Sequence, residues 1–385
     1  MFTAGKPAST VTARFGAIAE SLPYGRGSDQ SRDGVPSGSG AVTVGKSTIL
    51  RGRDASRRIL VVRLGAMGDI IHTLPAVAFL KQSHPGSLLT WLVEPRWAPL
   101  LEENPYVDRV VLLRRQSFAG LVETRRELRA AHYDFAVDFQ GLLKSAMAGS
   151  AANPDRFFGF HQSQVRERLA GLFYSHKTLS RTAHVVDRNL ELAAACGGSG
   201  IQSRQRLFPL PPGRAEGDLP PGDFVLASPL AGWVSKQWPM GHYRSLAARL
   251  RHELGIPLVL DGPLDGPPGA DFTAAEAAIP HHSSLPGLIH ATRRAAAIVG
   301  VDSGPLHLAA ALAKPGVAIF GPTDPARNGP YGDSLRVLRT DAAATTYKRG
   351  AATDPSMRNI SPDEVFEVLR GIIGARCRPA GSLAE

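Results

Sequence analysis

Ile59-Leu-Val-Val-Arg-Leu-Gly-Ala-Met-Gly-Asp-Ile-Ile-His-Thr-Leu-Pro75 joins four aliphatic residues, Ile59 to Val62, to a glycine-punctuated turn and then to an apolar helical stretch. A short run that is apolar at every position, with no alternation, suits a strand covered on both faces, as in a parallel sheet. The turn Gly65-Ala66-Met67-Gly68 follows at once, and Asp69 stands at the mouth of the helix. Open parallel sheets bind their ligands at the carboxyl ends of such strands. Asp69 is there either as an N-cap, a position that favours Asp, or as a catalytic group facing the crevice. The turn is not G-x-G-x-x-G, and Glu94 is poorly placed to hold a ribose, so a dinucleotide site is disfavoured.

Outward from this segment, strands and helices alternate. Strands are expected at 59–63, 88–93, 109–113 and 134–138, with helices at about 70–83, 96–103 and 117–131. A second set begins near 223, with strands at 224–227, 257–260, 296–299 and 317–320. This rhythm predicts an α/β protein with two doubly wound, parallel-sheet domains and a cleft between them. The Pro/Gly-rich stretch Leu207 to Gly222 reads as the linker. The expected partition is a disordered extension over 1–57, a first domain over 58–208, a linker over 209–222 and a second domain over 223–360. A C-terminal helix follows over 361–376, expected to pack back on the first domain, and then a tail over 377–385. That helix opens with Ser361-Pro362-Asp363-Glu364, a strong N-terminal signature.

Composition narrows the function classes. A hydrophobic content of 43% in 385 residues suits two soluble domains. No apolar run reaches 18 residues, so no transmembrane helix is expected, and the first thirty residues lack a secretory apolar core. Cys196 and Cys377 lie far apart, which gives no metal-site signal and fits a reducing cytoplasm. The net charge of +10 is uneven: residues 1–58 hold nine Lys/Arg and four Asp/Glu, about half the excess. Nucleic acid, an anionic membrane face or a phosphorylated substrate would each suit a basic protein. Aromatics are not interleaved with the basic residues, so nucleic acid is not expected as a partner. Gly40-Ala-Val-Thr-Val-Gly-Lys-Ser47 matches a phosphate-loop pattern letter for letter, but it lacks a strand before and a helix after, and we read it as chance.

Three further turns suit anionic ligands. Ser228-Pro-Leu-Ala-Gly-Trp-Val-Ser-Lys-Gln-Trp-Pro239 follows the first strand of the second domain. Small Ala231 and Gly232 let backbone N–H groups approach an anion, and Lys236 adds a point charge, chemistry suited to a diphosphate. In Asp302-Ser-Gly-Pro-Leu-His307 a strand runs into an Ala/Leu helix. Ser303 can cap that helix, Gly304 and Pro305 suit its first turn, His307 can reach a phosphate, and Asp302 can accept from sugar hydroxyls. Phe320-Gly-Pro-Thr323 is a third such strand end, with a hydroxyl at Thr323. Together these turns point to a nucleoside diphosphate on the second domain, with Asp69 opposite.

Leu-Gly-Ala-Met-Gly-Asp69-Ile-Ile-His-Thr-Leu-Pro, Asp138-Phe-Gln-Gly-Leu-Leu-Lys144-Ser-Ala, Lys236-Gln-Trp-Pro and Asp302-Ser-Gly-Pro-Leu-His-Leu-Ala-Ala-Ala together resemble glycosyltransferase family 9, the ADP-heptose:lipopolysaccharide heptosyltransferases. Arg166-Glu167 and Leu172-Phe-Tyr174 are similar to its heptosyltransferase I branch, and the likeness runs from about Arg58 to Arg370. The resemblance implies a GT-B architecture of two facing Rossmann-like domains. It implies inverting, metal-independent transfer of L-glycero-D-manno-heptose from ADP-heptose, a co-substrate with no cofactor needed. The acceptor would be a 3-deoxy-D-manno-octulosonic acid (Kdo) residue on lipid A at the cytoplasmic face of the inner membrane. By the same resemblance Asp69 matches the general base, Lys236 the donor-phosphate lysine and Asp302 the acid that contacts heptose. Ala231 and Gly232 replace a threonine pair, so backbone amides take that role, and Asp265 is the nearest acid to a missing ribose-binding glutamate. Gly65, Arg114, Arg115 and Lys144 are the expected acceptor contacts, because Kdo carboxylates and lipid A phosphates need cations. A family 9 transferase with another acceptor, and a nucleotide- or anionic-lipid-binding module without turnover, are the rival readings.

Overall fold

Strands that are apolar along their whole length need cover on both faces. The computed structural model supplies it twice. It describes residues 56–197, 205–263, 277–346 and 350–376. The phosphate-loop-like stretch, all but the end of the 1–57 extension, Asp265 and the 377–385 tail lie outside the described residues.

The first half runs β1 (Arg58–Val62), α1 (Met67–Ile71), α2 (Leu74–Ser83), β2 (Leu88–Val93), β3 (Arg109–Leu112), α3 (Phe118–Arg129), β4 (Phe135–Asp138), α4 (Leu143–Ser150), β5 (Phe157–Phe160), β6 (His176–Thr178) and α5 (Val185–Ala195). Its six-stranded sheet is parallel throughout, in the order β3-β2-β1-β4-β5-β6. Alternation along β1 splits the core. Ile59 and Val61 face α1, α2 and α5, whereas Leu60 and Val62 face α3, α4 and the 3-10 turn Arg168–Leu172.

The second half repeats the plan. It runs β7 (Val225–Ser228), α6 (Met240–Leu254), β8 (Leu258–Pro263), β9 (Ile279–Ser283), α7 (Leu285–Arg294), β10 (Ala297–Val301), α8 (Gly304–Ala311), β11 (Gly316–Phe320), α9 (Pro325–Asn328), β12 (Leu335–Arg339), α10 (Pro355–Arg358) and α11 (Pro362–Arg376). The order β12-β11-β10-β7-β8-β9 is again all parallel. Each sheet reverses its winding next to its first strand, between β1 and β4 and between β7 and β10. These are the switch points where a ligand crevice opens. One apolar core runs unbroken across the halves, taking in Ile70 and Leu74 from the first and Phe224, Leu288 and Leu306 from the second.

Several expectations are corrected. The helix expected over 70–83 begins earlier, at Met67, and is divided at His72-Thr73, with Pro75 in the first turn of α2. The segment expected as a helix over 96–103 is a 3-10 stretch, Pro95–Leu101, containing Pro99, which has no N–H to donate. Strands β5, β6, β9 and β12 were not foreseen. β6, β9 and β12 lie toward the sheet edges and carry His, Lys, Pro and Arg, so they lack a continuous apolar run.

The C-terminal helix does not pack back on the first domain. Val365, Phe366, Leu369 and Ile373 of α11 join Tyr243, Leu246 and Leu250 of α6 on the outer face of the second sheet, which α6 alone leaves open. Its start is capped reciprocally, Ser361 N donating to Glu364 Oε2 at 2.7 Å and Glu364 N to Ser361 Oγ at 3.2 Å. The proline-rich connection is strapped down on both sides. Asn104 Nδ2 donates to the Pro209 carbonyl at 3.1 Å, and Arg293 Nη2 donates to the Leu210 carbonyl at 2.9 Å.

Candidate active site

Asp69 sits on the third residue of α1, not at its N-cap, which is Ala66. Its Oδ2 accepts from Ala66 N at 3.1 Å, and its Oδ1 is ion-paired with Arg63 Nη2 at 2.7 Å. The capping contact therefore exists but takes only part of the carboxylate, whose side chain remains 48% exposed. Arg63 is buried and donates a second bond to the Phe139 carbonyl, so it holds Asp69 against the β4 end of the switch point. That end is itself braced. Asp138 is fully buried and accepts from Ser145 Oγ and Tyr174 Oη, both at 2.7 Å, and from Gln140 N at 2.8 Å. Burial pushes the Asp138 carboxyl up despite these bonds, and burial with the Asp138 charge raises the Tyr174 phenol. Gln140 Oε1 in turn accepts from Leu64 N at 2.7 Å, fixing the 140–142 turn beside β1.

Asp69 opens into a cavity of about 210 Å³ lined by both halves: Arg63, Gln140, Gly141, Arg166, Arg188 and Asn189 from the first, Arg327 and Asn328 from the second. Four arginines line it, and Asp69 is the one carboxylate among the described lining residues. Burial, and then the charge of Arg327 across the gap, lower the Arg188 guanidinium below its ordinary value. Two guanidinium groups lining one cavity, close enough for one to depress the other, favour an anion beside them.

The second wall is built at the carboxyl ends of β7, β10 and β11, adjacent parallel strands. Lys236 Nζ lies 2.6 Å from Asp302 Oδ2 and 4.5 Å from the Trp233 ring centroid. His307 Nε2 is 3.6 Å from Asp302 Oδ1. Burial alone would raise the Asp302 carboxyl, but His307 and Lys236 outweigh it and hold the group well below the usual carboxylate range. Ala231 and Gly232 precede the 3-10 turn Val234–Lys236, with Gly232 exposed. Ser303 holds the N-cap position of α8 but does not cap it. Its buried Oγ lacks a hydrogen-bond partner, as do Thr323 Oγ1, His307 Nδ1 and His72 Nε2. Buried polar atoms in natural proteins are nearly always bonded, and such a group suits a ligand rich in hydroxyls and phosphate oxygens.

The two walls touch through glycines. A Cβ on Gly68, next to Asp69, would stand 2.4 Å from His307 Cδ2, and one on Gly304 would stand 2.7 Å from Met67 Sδ. Gly68→Ala is therefore expected to lower the melting temperature by the equivalent of about 1–3 kcal/mol of overpacking. It should also depress transfer; a variant with unchanged melting and turnover would show that this contact is not needed.

Three histidines bridge the same junction. His72 and His307 ring centroids are 4.3 Å apart, and His184 Nε2 donates to the Gly329 carbonyl at 3.2 Å. Burial, then His307, His184 and Arg63, depress His72 well below its ordinary 6.5. The folded state thus binds fewer protons than the unfolded chain between the depressed value and 6.5, so stability is full above that range and falls as pH drops through it. His72→Phe should lessen the loss of melting temperature between about pH 7.5 and 5.5. An identical loss in wild type and variant would remove His72 from the account.

The other expected acceptor contacts do not line this cavity. Arg115 Nε and Lys144 Nζ converge on Glu94 Oε1 at 3.0 and 3.3 Å, and Arg96 reaches Oε2 at 3.3 Å. Burial alone would raise the Glu94 carboxyl; Lys144, Arg115 and Arg96 overcome it and lower it. Arg114 pairs with Glu123 and Glu127 at 3.6 and 3.5 Å. Those charges answer acids that sequence reading had not matched to them. Gly65 is half-buried, and it packs so closely on Trp97 that a Cβ there would stand 2.6 Å from Trp97 Nε1. Arg63, Arg188 and Arg327, which do line the cavity, were missed; a lone arginine after a strand or on a helix gives little signal.

Two Rossmann-like domains whose switch points face each other across a polar gap are the architecture of the GT-B glycosyltransferases, and fold and site together put this protein in that class. The family model for glycosyltransferase family 9 (heptosyltransferase) matches residues 121–355, and the chain belongs to that family. It is 31% identical over 302 residues to lipopolysaccharide heptosyltransferase 1 of Escherichia coli K12, covering 73% of this chain and 93% of that one. The Pseudomonas aeruginosa protein of the same name is 32% identical over 307 residues, covering 74% and 84%. Among solved structures, E. coli heptosyltransferase WaaC with ADP superposes with a TM-score of 0.67 at 27% identity, over 82% of this chain and 99% of that one. E. coli ADP-heptose LPS heptosyltransferase II gives 0.68 at 22% identity, over 83% and 99%.

Proposed function

We propose that the protein transfers L-glycero-D-manno-heptose, with inversion, from ADP-heptose to a Kdo residue of lipid A, the heptosyltransferase I reaction of lipopolysaccharide core synthesis. The observation that carries this is a run of contacts across the gap. Gly68, beside Asp69, packs on His307, His307 pairs with Asp302, and Asp302 pairs with Lys236. A proton acceptor and a phosphate-binding group are thus linked by direct contacts where the two halves meet. Inversion needs attack on the anomeric carbon from the side opposite the departing ADP, and a base on one half with a phosphate site on the other suits that requirement.

Asp69 takes the proton of the attacking Kdo hydroxyl, held by Arg63. The bond from the anomeric carbon to the ADP oxygen breaks as the new glycosidic bond forms. Lys236, the Ala231-Gly232 amides and the free N–H groups at the start of α8 meet the charge growing on ADP. Asp302 accepts from heptose hydroxyls, and Ser303, Gly304, His307 and Thr323 complete the donor site. The arginine-lined cavity beside Asp69 takes the acceptor carboxylate, with Arg166, Arg188 and Arg327 as its cations. Lys236 and the helix terminus supply the positive charge a metal would otherwise bring, so turnover in excess EDTA should equal turnover without it; loss on chelation would refute a metal-independent reaction.

Among the described residues no helix is long and apolar enough to cross a membrane. On the proposed reading the lipid-borne acceptor is met at the cytoplasmic face of the inner membrane. The test is release of ADP with Kdo-lipid A as acceptor and a panel of sugar nucleotides as donors. Turnover is expected with ADP-heptose, giving an inverted heptosyl product. Turnover only with an acceptor already bearing heptose would assign a later core transfer. Binding without turnover on any acceptor would leave a binding module.

A further inference from the structure

We infer that the outer layer of the first domain, formed by α3, α4 and the Arg168–Leu172 turn, is the face on which this protein rests against an anionic lipid bilayer. The inference takes its purpose from the lipid-acceptor reading above. These three elements cover one side of the first sheet through Leu128, Ala146 and Ala170, and their opposite sides are left to solvent. Seven of the ten large apolar side chains exposed among the described residues lie on this layer. Phe118, Leu121 and Val122 stand on the first turns of α3, with Phe118 82% exposed, and Met147 stands on α4. The 3-10 turn and its end add Leu169, Leu172 and Phe173. Scattered single apolar residues need no explanation, but such a cluster on one layer does.

The charge pattern commits the face to one occupant. Helical spacing puts Arg125 and Arg129 on the same exposed side of α3 as Phe118 and Val122, with Arg126 beside them. Neither Arg125 nor Arg126 has a carboxylate partner among the described residues. Between α3 and α4 runs a groove of about 340 Å³, floored by Leu113, Leu128 and Ala148 and rimmed by Arg125 and Lys144. Apolar side chains ringed by arginine suit headgroup phosphates above and acyl chain below. The N-terminal extension has the wrong sign to occupy it, with nine Lys/Arg against four Asp/Glu in residues 1–58, and a second copy would oppose arginine to arginine. Position agrees as well. The 140–142 turn that lines the Asp69 cavity leads directly into α4, so a lipid-borne acceptor held at this face lies beside the site.

The experiment is flotation of the full chain with vesicles of phosphatidylglycerol and phosphatidylcholine, and with phosphatidylcholine alone. Two variants are compared: Phe118→Ser with Val122→Ser, and Arg125→Gln with Arg126→Gln and Arg129→Gln. Wild type is expected to float with the anionic vesicles and not the neutral ones. The arginine variant should lose roughly 100-fold in partitioning and the apolar pair about 10-fold or more. Both should keep wild-type melting and wild-type transfer to a soluble, deacylated acceptor. Wild type failing to float, equal flotation with neutral vesicles, or variants floating as wild type would overturn the inference. So would a dimer in solution that these substitutions dissociate. Absence of transfer to the soluble acceptor would count against the proposed reaction, and the flotation result would stand apart from it.

Discussion

Asp69→Asn is expected to slow heptose transfer about 10²–10⁴-fold at saturating donor while ADP affinity stays within about two-fold of wild type. The geometry gives the reason. One oxygen of Asp69 is engaged by buried Arg63 at 2.7 Å and the other by Ala66 N at 3.1 Å, yet the side chain is 48% exposed toward a cavity that both halves line. A carboxylate has about four lone-pair sites, and two contacts leave capacity for a substrate hydroxyl. The asparagine has one acceptor oxygen, so it can keep the bond from Ala66 N or the contact with Arg63 but not both, and its amide cannot take a proton. Asp69→Ala should lose as much activity and more stability, about 1–2 kcal/mol, because it strips both contacts at once and leaves the buried guanidinium unpaired. The two variants therefore separate chemistry from folding. Single-turnover transfer and calorimetric titration with ADP measure both effects. Wild-type-like turnover in either variant would remove Asp69 as the base, and a matching loss of ADP affinity would reduce it to a structural cap.

Much of this was legible in the chain because the relevant signals are local. Ile59–Val62, Leu88–Val93 and Val317–Phe320 are apolar at nearly every position, and each is a strand buried along almost its whole length. Gly-rich turns follow such strands, and Asp69, Lys236, Asp302 and His307 all stand on the segments that leave β1, β7 and β10. What sequence could not give is pairing at a distance. Glu94 is separated from Lys144 by fifty positions, and nothing local shows that its burial draws in Lys144 and Arg115. Arg114 and Arg115 stand out as neighbours in sequence, and with Lys144 and Gly65 they are the expected acceptor contacts, while Arg63, Arg188 and Arg327 come from distant positions to line one cavity. The placing of α11 failed for the same reason. An amphipathic helix announces that it needs a partner, and only tertiary structure tells which sheet face is still uncovered.

Lys236→Met is expected to lower kcat/KM about 10²–10³-fold, the usual cost of removing one donor aimed at developing charge. It should also destabilise the protein, because Lys236 and Asp302 are a nearly buried pair, 17% and 7% exposed, at 2.6 Å. Breaking such a pair from one side costs up to about 3–5 kcal/mol. The loss has a pH signature. In wild type, Lys236 and His307 hold the Asp302 carboxyl below its ordinary range against the effect of burial. Its stabilising contribution is present above the unfolded carboxyl's value and lost as pH falls through the folded one. With Lys236 gone, burial is opposed by His307 alone, and the folded carboxyl moves up. The stability deficit should then grow as pH rises through the carboxylate range, which thermal melts across that range would register. The decisive comparison is the double variant Lys236→Met with Asp302→Asn. Removing both charges leaves no unpaired buried ion, so most of the stability should return. Transfer should not return, because the diphosphate still lacks its cation. A double variant that regains both would show that Lys236 serves only to neutralise Asp302, and the phosphate-binding wall would then have to be sought at the α8 terminus alone.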